Sequence, residues 1–479
     1  MSISEIRLQN NSELVTYLNA AVTNYEFVKR KMWYEMTDIN FNNKYKSDAD
    51  YEKHCRTIYG MHSRTINSIV REVKGIMKAY MELKKTELAQ LVTKITAYEK
   101  KVKKNNDILT KLKPKVTANK ATNKELNKYR KTKFSLYHQK NKLNSLNIKY
   151  DNLDYQITHK IYKICFGTKR VFKKQYNLLA NNYKTHEKWR NDFRKCRDKN
   201  IWLTGSINEK DGNQMCALSY DEYTDTFSIS LRKIERGNYG KYNTNKYIQY
   251  NNFKIKYNKQ DIINLIDAQK QDLNNKKAIH FRFHRENAKW YLQIVYAKSF
   301  YDTDYITRSS NGVIGLDYND GFIQLAETDY IGNLINLQRY NLQYHGCGNR
   351  AKHEIEQVIN RIVKYATKVG KDIAIEDLNF KKTKAKQLTS NNANTKNYNN
   401  MLHKFDYSKY KQKLADISFN YKVHLQLINP RNTTKIAKQK YCSNMKLTSH
   451  QGASYVIARK YQGFIDKLKT TQKRKAITK

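Results

Sequence analysis

The chain has 479 residues, too many for a single hydrophobic core, so about two to four domains are expected. Lys and Arg number 91 against 43 Asp and Glu, a net charge of +48; a chain this basic repels itself unless a polyanion binds it, and nucleic acid is the expected partner. No run of ~20 apolar residues and no N-terminal signal peptide are visible, which argues against a membrane partner and points to a soluble, cytoplasmic, nucleoid-associated protein.

Residues 1 to about 65 read as helical, with Leu14, Leu18, Ala21, Tyr25 and Val28 at helical spacing. From about Ile66 to Ile161 the pattern is long helix. One arm carries Val73, Ile76, Tyr80, Leu83, Leu91, Ile95, Tyr98 and Val102, and the other Leu143, Leu146, Tyr150, Leu153 and Ile157. Pro114 between them is expected to break the helix and produce an antiparallel hairpin. Its outer faces carry lysines such as Lys100, Lys101, Lys103 and Lys104, which suit a nucleic-acid groove wall. After a mixed stretch from 165 to 215, the period changes to two. Thr224 to Leu231 alternates, and Ile279 to His284 with Trp290 to Tyr296 reads as a hairpin around Arg285 to Ala288. Residues 216 to 300 therefore predict a small β-barrel-like domain. Its Arg282, His284, Lys289 and Tyr291 suit base stacking and backbone contacts or an ordinary sheet surface.

From Gly312 the pattern becomes α/β. Val313 to Asp317, Gly321 to Thr328 and Leu334 to Arg339 read as strands, and Arg350 to Val369 as an amphipathic helix. Asp372 to Glu376 reads as a buried strand. Residues 381 to 402, lysine-rich and then rich in Asn and Thr, predict a mobile loop. Tyr407 to Asn420 reads as helix, His424 to Ile428 as strand and His450 to Lys460 as helix.

Two of these strands deliver a carboxylate at their C-terminal ends, Asp317 and Glu376. Burying a carboxylate is costly unless something pairs with it, and two on adjacent strand ends suit a shared divalent metal and phosphodiester chemistry. Alone, Asp317 is as readily a turn residue, because Asn319, Asp320 and Gly321 follow it. The cysteines, Cys55, Cys165, Cys196, Cys216, Cys347 and Cys442, form no C-x-x-C pair, so neither a disulfide framework nor a four-cysteine zinc site is expected.

GVIGLDYNDGFIQLAETD resembles the first RuvC motif of the transposon-encoded TnpB proteins, and KDIAIEDLNF resembles the second, with Glu376 as its acid. LINPRNTTKIAKQKYCSNMKLTSHQGASYVIARKYQGF is similar to the C-terminal block leading into the third motif, in a branch that reads VHQAASYVIARR there and lacks zinc cysteines. The resemblance covers Gly312 to Phe464; it is looser over 165 to 300 and weak before that. It implies an RNA-guided DNA endonuclease, related to the type V CRISPR effectors, that hydrolyses phosphodiester bonds by a two-metal RuvC-like mechanism. Its partners would be a guide RNA and target DNA, and its cofactor Mg²⁺ or Mn²⁺. The fold class is then multidomain α+β. Residues 1–165 would be a helical, lysine-rich, REC-like region, 166–305 a wedge-like domain that is mixed and then β-rich, and 306–479 a RuvC/RNase H-like α/β nuclease domain.

Two departures stand out. Only Cys442 lies where the family has two C-x-x-C pairs, so zinc is not expected. The family's third acid falls at His450 counted from Ala453, or at Ser449 counted from Gly452, so neither register supplies an acid, and the implied catalytic and metal set is Asp317, Glu376 and His450. Histidine ligates divalent metals but brings no negative charge, which weakens Mg²⁺ and tolerates Mn²⁺ better. Asp320 and Asp377 lie close enough in sequence to compensate. The alternatives are a nuclease-deficient RNA-guided DNA-binding protein or repressor, and a transposition accessory factor.

Overall fold

The structure is a computed structural model that describes residues 2–10, 12–235, 246–270, 276–297, 304–319, 321–343, 348–378, 407–466 and 468. The mobile loop expected at 381–402, Asp320 and Cys347 lie outside these residues. The chain packs as two compact units, residues 1–91 with 145–298 and residues 92–144 with 299–479.

The first part of the chain runs β1 (Ser2–Arg7), α1 (Glu13–Met36), α2 (Asp48–Tyr59), the long helices α3 (Ser63–Thr117) and α4 (Asn123–Thr158), α5 (His186–Arg197), β2 (Asn200–Leu203), β3 (Cys216–Asp221), β4 (Thr226–Arg232), β5 (Tyr247–Phe253), α6 (Lys259–Lys270), β6 (Ile279–Glu286) and β7 (Lys289–Tyr296). The strands form a four-stranded antiparallel sheet in the order β1-β7-β6-β2 and a three-stranded sheet β3-β4-β5. Leu14, Leu18 and Tyr25 of α1 share one core with Phe281, Phe283 and Leu292 of the larger sheet.

Two expectations are corrected here. The N-terminus is not helical throughout, because Ser2–Arg7 is a strand. Its alternation is short, and what fixes it is antiparallel pairing with β7 from Ser2 opposite Tyr296 to Arg7 opposite Tyr291. Nor does Pro114 break the helix. α3 runs through it to Thr117, and the reversal follows at Asn119, whose φ is +50°. Pro114 sits in the last turn, where the one backbone bond it forfeits is open to water.

Buried in the first unit, the Lys29 ammonium lies 2.6 Å from Glu26 and 2.9 Å from Glu72. One cation thus serves two carboxylates. Burial holds the Glu26 pKa up at about 7 despite the pull of Lys29, while Glu72 and Glu26 outweigh burial and raise that of Lys29. A carboxyl that binds its proton more tightly when folded favours folding fully below its ordinary 4.5 and loses that contribution as pH rises to about 7. Glu26→Gln is expected to flatten the fall in thermal midpoint across that interval; an unchanged slope in thermal unfolding would contradict the assignment.

The second part runs β8 (Val313–Asn319), β9 (Phe322–Thr328), β10 (Leu334–Asn341), α7 (Asn349–Val369), β11 (Asp372–Glu376), α8 (Tyr407–Asn420), β12 (Leu425–Ile428) and α9 (Ser449–Tyr461). These strands form one sheet in the order β10-β9-β8-β11-β12. The first three are antiparallel neighbours, and β11 runs parallel to both β8 and β12. Alternation along β8 explains the layering. Ile314 and Leu316 pack with Val358, Ile359 and Ile362 of α7 and with Tyr410 and Leu414 of α8. Val313 points the other way, with Ala374, onto Ile457 and Ala458 of α9. Each fully buried aliphatic side chain stabilises by ~1.5–3 kcal/mol. Away from these layers, Lys371 donates to Glu327 at 2.6 Å and to the Thr328 carbonyl at 2.8 Å, and Tyr365 donates to the other Glu327 oxygen at 2.6 Å. That satisfied buried pair ties β9 to the start of β11. Among the described residues no helix is long and apolar enough to cross a membrane.

Candidate active site

Asp317 has the same parity on β8 as Val313 and Gly315, so it faces α9. On β11, Glu376 has the parity of Ala374 and faces the same way. The two strands are in register, with Ile375 opposite Leu316, which puts Glu376 and Asp317 one step further on at adjacent strand ends. They feel each other. Burial raises the Glu376 pKa first, and the charge of Asp317 adds to it, against a hydrogen bond from Thr433 and the charge of Lys460.

Helix α9 brings the third residue. Gly315 has no side chain, and a Cβ there would lie 2.1 Å from the Ser454 carbonyl oxygen and 2.7 Å from the Ala458 nitrogen. The missing side chain lets α9 press directly against β8. The helix starts with a capping box: Thr448 accepts from the Gln451 backbone at 3.3 Å, and the Gln451 side chain accepts from the Thr448 backbone at 2.9 Å. His450 follows in the first turn, and its Nδ1 lies 3.0 Å from Asp317 Oδ2. The Phe322 ring and the imidazole pack perpendicular to each other, 5.2 Å between centroids. The hydrogen bond to Asp317 raises the His450 pKa, opposed by burial and by the charges of Arg339 and Lys438.

Asp317 and His450 are therefore in contact, and Glu376 shares their end of the sheet. Among the described residues, however, no three His, Cys, Asp or Glu side chains gather as a metal-ligand group. Asp377 pairs with Lys411 at 2.6 Å.

Four partners were not identified from the sequence. Thr433 donates to Glu376 Oε1 at 2.5 Å. Tyr407 donates to the Glu376 backbone carbonyl. Asn319 donates to Asp317 Oδ2 at 2.9 Å. Lys460 donates to the carbonyls of Asn429 at 3.1 Å and Arg431 at 2.6 Å, fixing the Asn-Pro turn beside the site. Of these, only Asn319 carried a local signal, two residues after an aspartate at a strand end. A cavity of about 950 Å³, lined in part by Asn429, Arg431, Lys460 and Phe464, adjoins that turn.

No protein-family model and no curated protein matches the chain. Among solved structures it is similar to one described as a cryo-EM structure of the Cas12f1-sgRNA-target DNA complex, over 78% of this chain and 95% of that one, at 12% identity and a TM-score of 0.21. A likeness at that level establishes no shared function.

Proposed function

We propose that the chain is an RNA-guided DNA endonuclease of the TnpB kind, with residues 306–479 as its RuvC-like domain, 1–165 as a helical nucleic-acid-binding region and 166–305 as a wedge-like one. One observation carries the reading: two carboxylates stand at adjacent parallel strand ends on the face covered by α9. The RuvC-motif resemblance and the charge of +48 support it.

The carboxylates suit a hard divalent cation, which takes oxygen ligands. Asp317 and Glu376 would hold it, and when bound it would polarise the scissile phosphate and acidify a water. The chain's own residues set the stage. Asn319 and His450 orient Asp317, and Thr433 orients Glu376 and offsets part of the tendency of its carboxyl to keep a proton. Removing a hydrogen bond to a charged group costs ~1.5–3 kcal/mol. Thr433→Val is accordingly expected to slow cleavage about tenfold and move its acid limb to higher pH, while Thr433→Ser restores both. A pH profile unchanged in Thr433→Val would remove Thr433 from this role.

A second reading, an RNA-guided binder or repressor that no longer cuts, is favoured by one observation: His450 lies on Asp317 and brings no anion of its own. The protein purified with its bound RNA decides between them. Sequencing that RNA should give a defined small species, and matched plasmid should be cut in Mg²⁺ or Mn²⁺. Tight binding without cutting selects the second reading; a random RNA population with no matched binding rejects both.

A further inference from the structure

The imidazole of His450 is committed. An ionised carboxylate can only accept, so at 3.0 Å from Asp317 Oδ2 the Nδ1 atom carries the proton and donates it. Asn319 donates to the same oxygen at 2.9 Å. Oδ2 is thus capped twice, and among the described residues no hydrogen bond reaches Oδ1. The capping box fixes the start of α9, and the Phe322 ring packs perpendicular to the imidazole.

Positive charge already acts on the site, from Arg339 and Lys438 on His450 and from Lys460 on Glu376. Two carboxylates balance one divalent charge. Among the described residues, a second cation would meet a ring whose N–H points at Asp317 and, at Asp377, a carboxylate already paired with Lys411 at 2.6 Å.

We propose that His450 is a positioning residue whose ring N–H fixes Asp317, and that the protein alone holds one divalent cation, between Asp317 and Glu376, where three ligands and two metals were expected from the sequence. This rests on the nuclease reading above. It assigns Oδ1 of Asp317 to the cation, and it makes hydrogen-bond donation, not ligation, the property required at position 450. Partners that orient a ligand in this way typically change metal affinity by ~10–100-fold when removed.

The test uses the full chain with its bound RNA, no target DNA, and Mn²⁺ as probe. Mn²⁺ bound to the wild type minus that bound to Asp317→Asn should be one per chain, and electron spin echo spectra of that ion should show no imidazole nitrogen. His450→Ala should weaken this site about tenfold or more, while His450→Asn, which keeps an N–H donor, should stay within about threefold of wild type. A difference of two ions, an imidazole nitrogen in the spectra, or equal losses in His450→Ala and His450→Asn overturns the proposal. So does no change in either His450 variant. No difference between wild type and Asp317→Asn overturns it too, and takes the metal-dependent reading of the site with it; the other failures leave that reading standing.

Discussion

Asp317→Ala is expected to lower cleavage by the purified ribonucleoprotein roughly a thousandfold, about 4 kcal/mol of barrier, while leaving matched-DNA binding within about threefold of wild type. The substitution removes one of the two carboxylates at the strand ends, which on the proposed reading would hold the cation. Stability should change little. His450 loses its acceptor, but its side chain is 47% exposed, so water takes over the bond. Filter binding and plasmid cleavage on the same preparation separate the two effects. Residual cutting above a tenth of wild type would mean that Asp317 is not part of the reacting centre.

Gly315→Val is expected to cost roughly 3 kcal/mol or more, because its Cβ meets backbone on α9, not a side-chain tip that could swing away. Either the helix lifts or β8 shifts. Both outcomes separate His450 from Asp317, so activity and thermal midpoint should fall together. Gly348→Ala is the control. Among the described residues a Cβ there meets nothing within 4 Å and its φ of −67° suits any residue, so its effect should stay within the ~1 kcal/mol of a poorer helix cap. A Gly315→Val protein that melts with the control would show that the contact between α9 and β8 yields without cost.

The α/β sheet was legible because its signals are local. Val313 to Leu316 and Ile373 to Ile375 are apolar runs too short for helices, each ending at an acid. The period of α7 and the Tyr407–Asn420 pattern set the helices on one face. What was not legible depends on distant partners. β1 forms because β7, nearly the whole first unit later in sequence, offers it an edge. The bond from His450 to Asp317 spans 133 residues, and no spacing rule reaches that far. Thr433 is one of several threonines and asparagines after an Asn-Pro turn; only the fold selects it for Glu376. The motif offers a ligand at position 450, and only the fold shows that this imidazole lies 3.0 Å from Asp317 Oδ2.

The tight seat of α9 on β8 also sets an order of assembly. β8 and β9 can pair as soon as they are made, and β11 follows about 60 residues later, but α9 lies on β8, β9 and β11 only after the chain has passed residue 449. Closing loops of that length comes late in folding. A nascent or truncated chain would carry both acids with neither His450 over Asp317 nor Thr433 and Lys460 around Glu376 if it stopped before residue 433. On the nuclease reading proposed above, competence to cut would then arrive only when α9 docks, and an unfinished chain would not act on the nucleic acid it met.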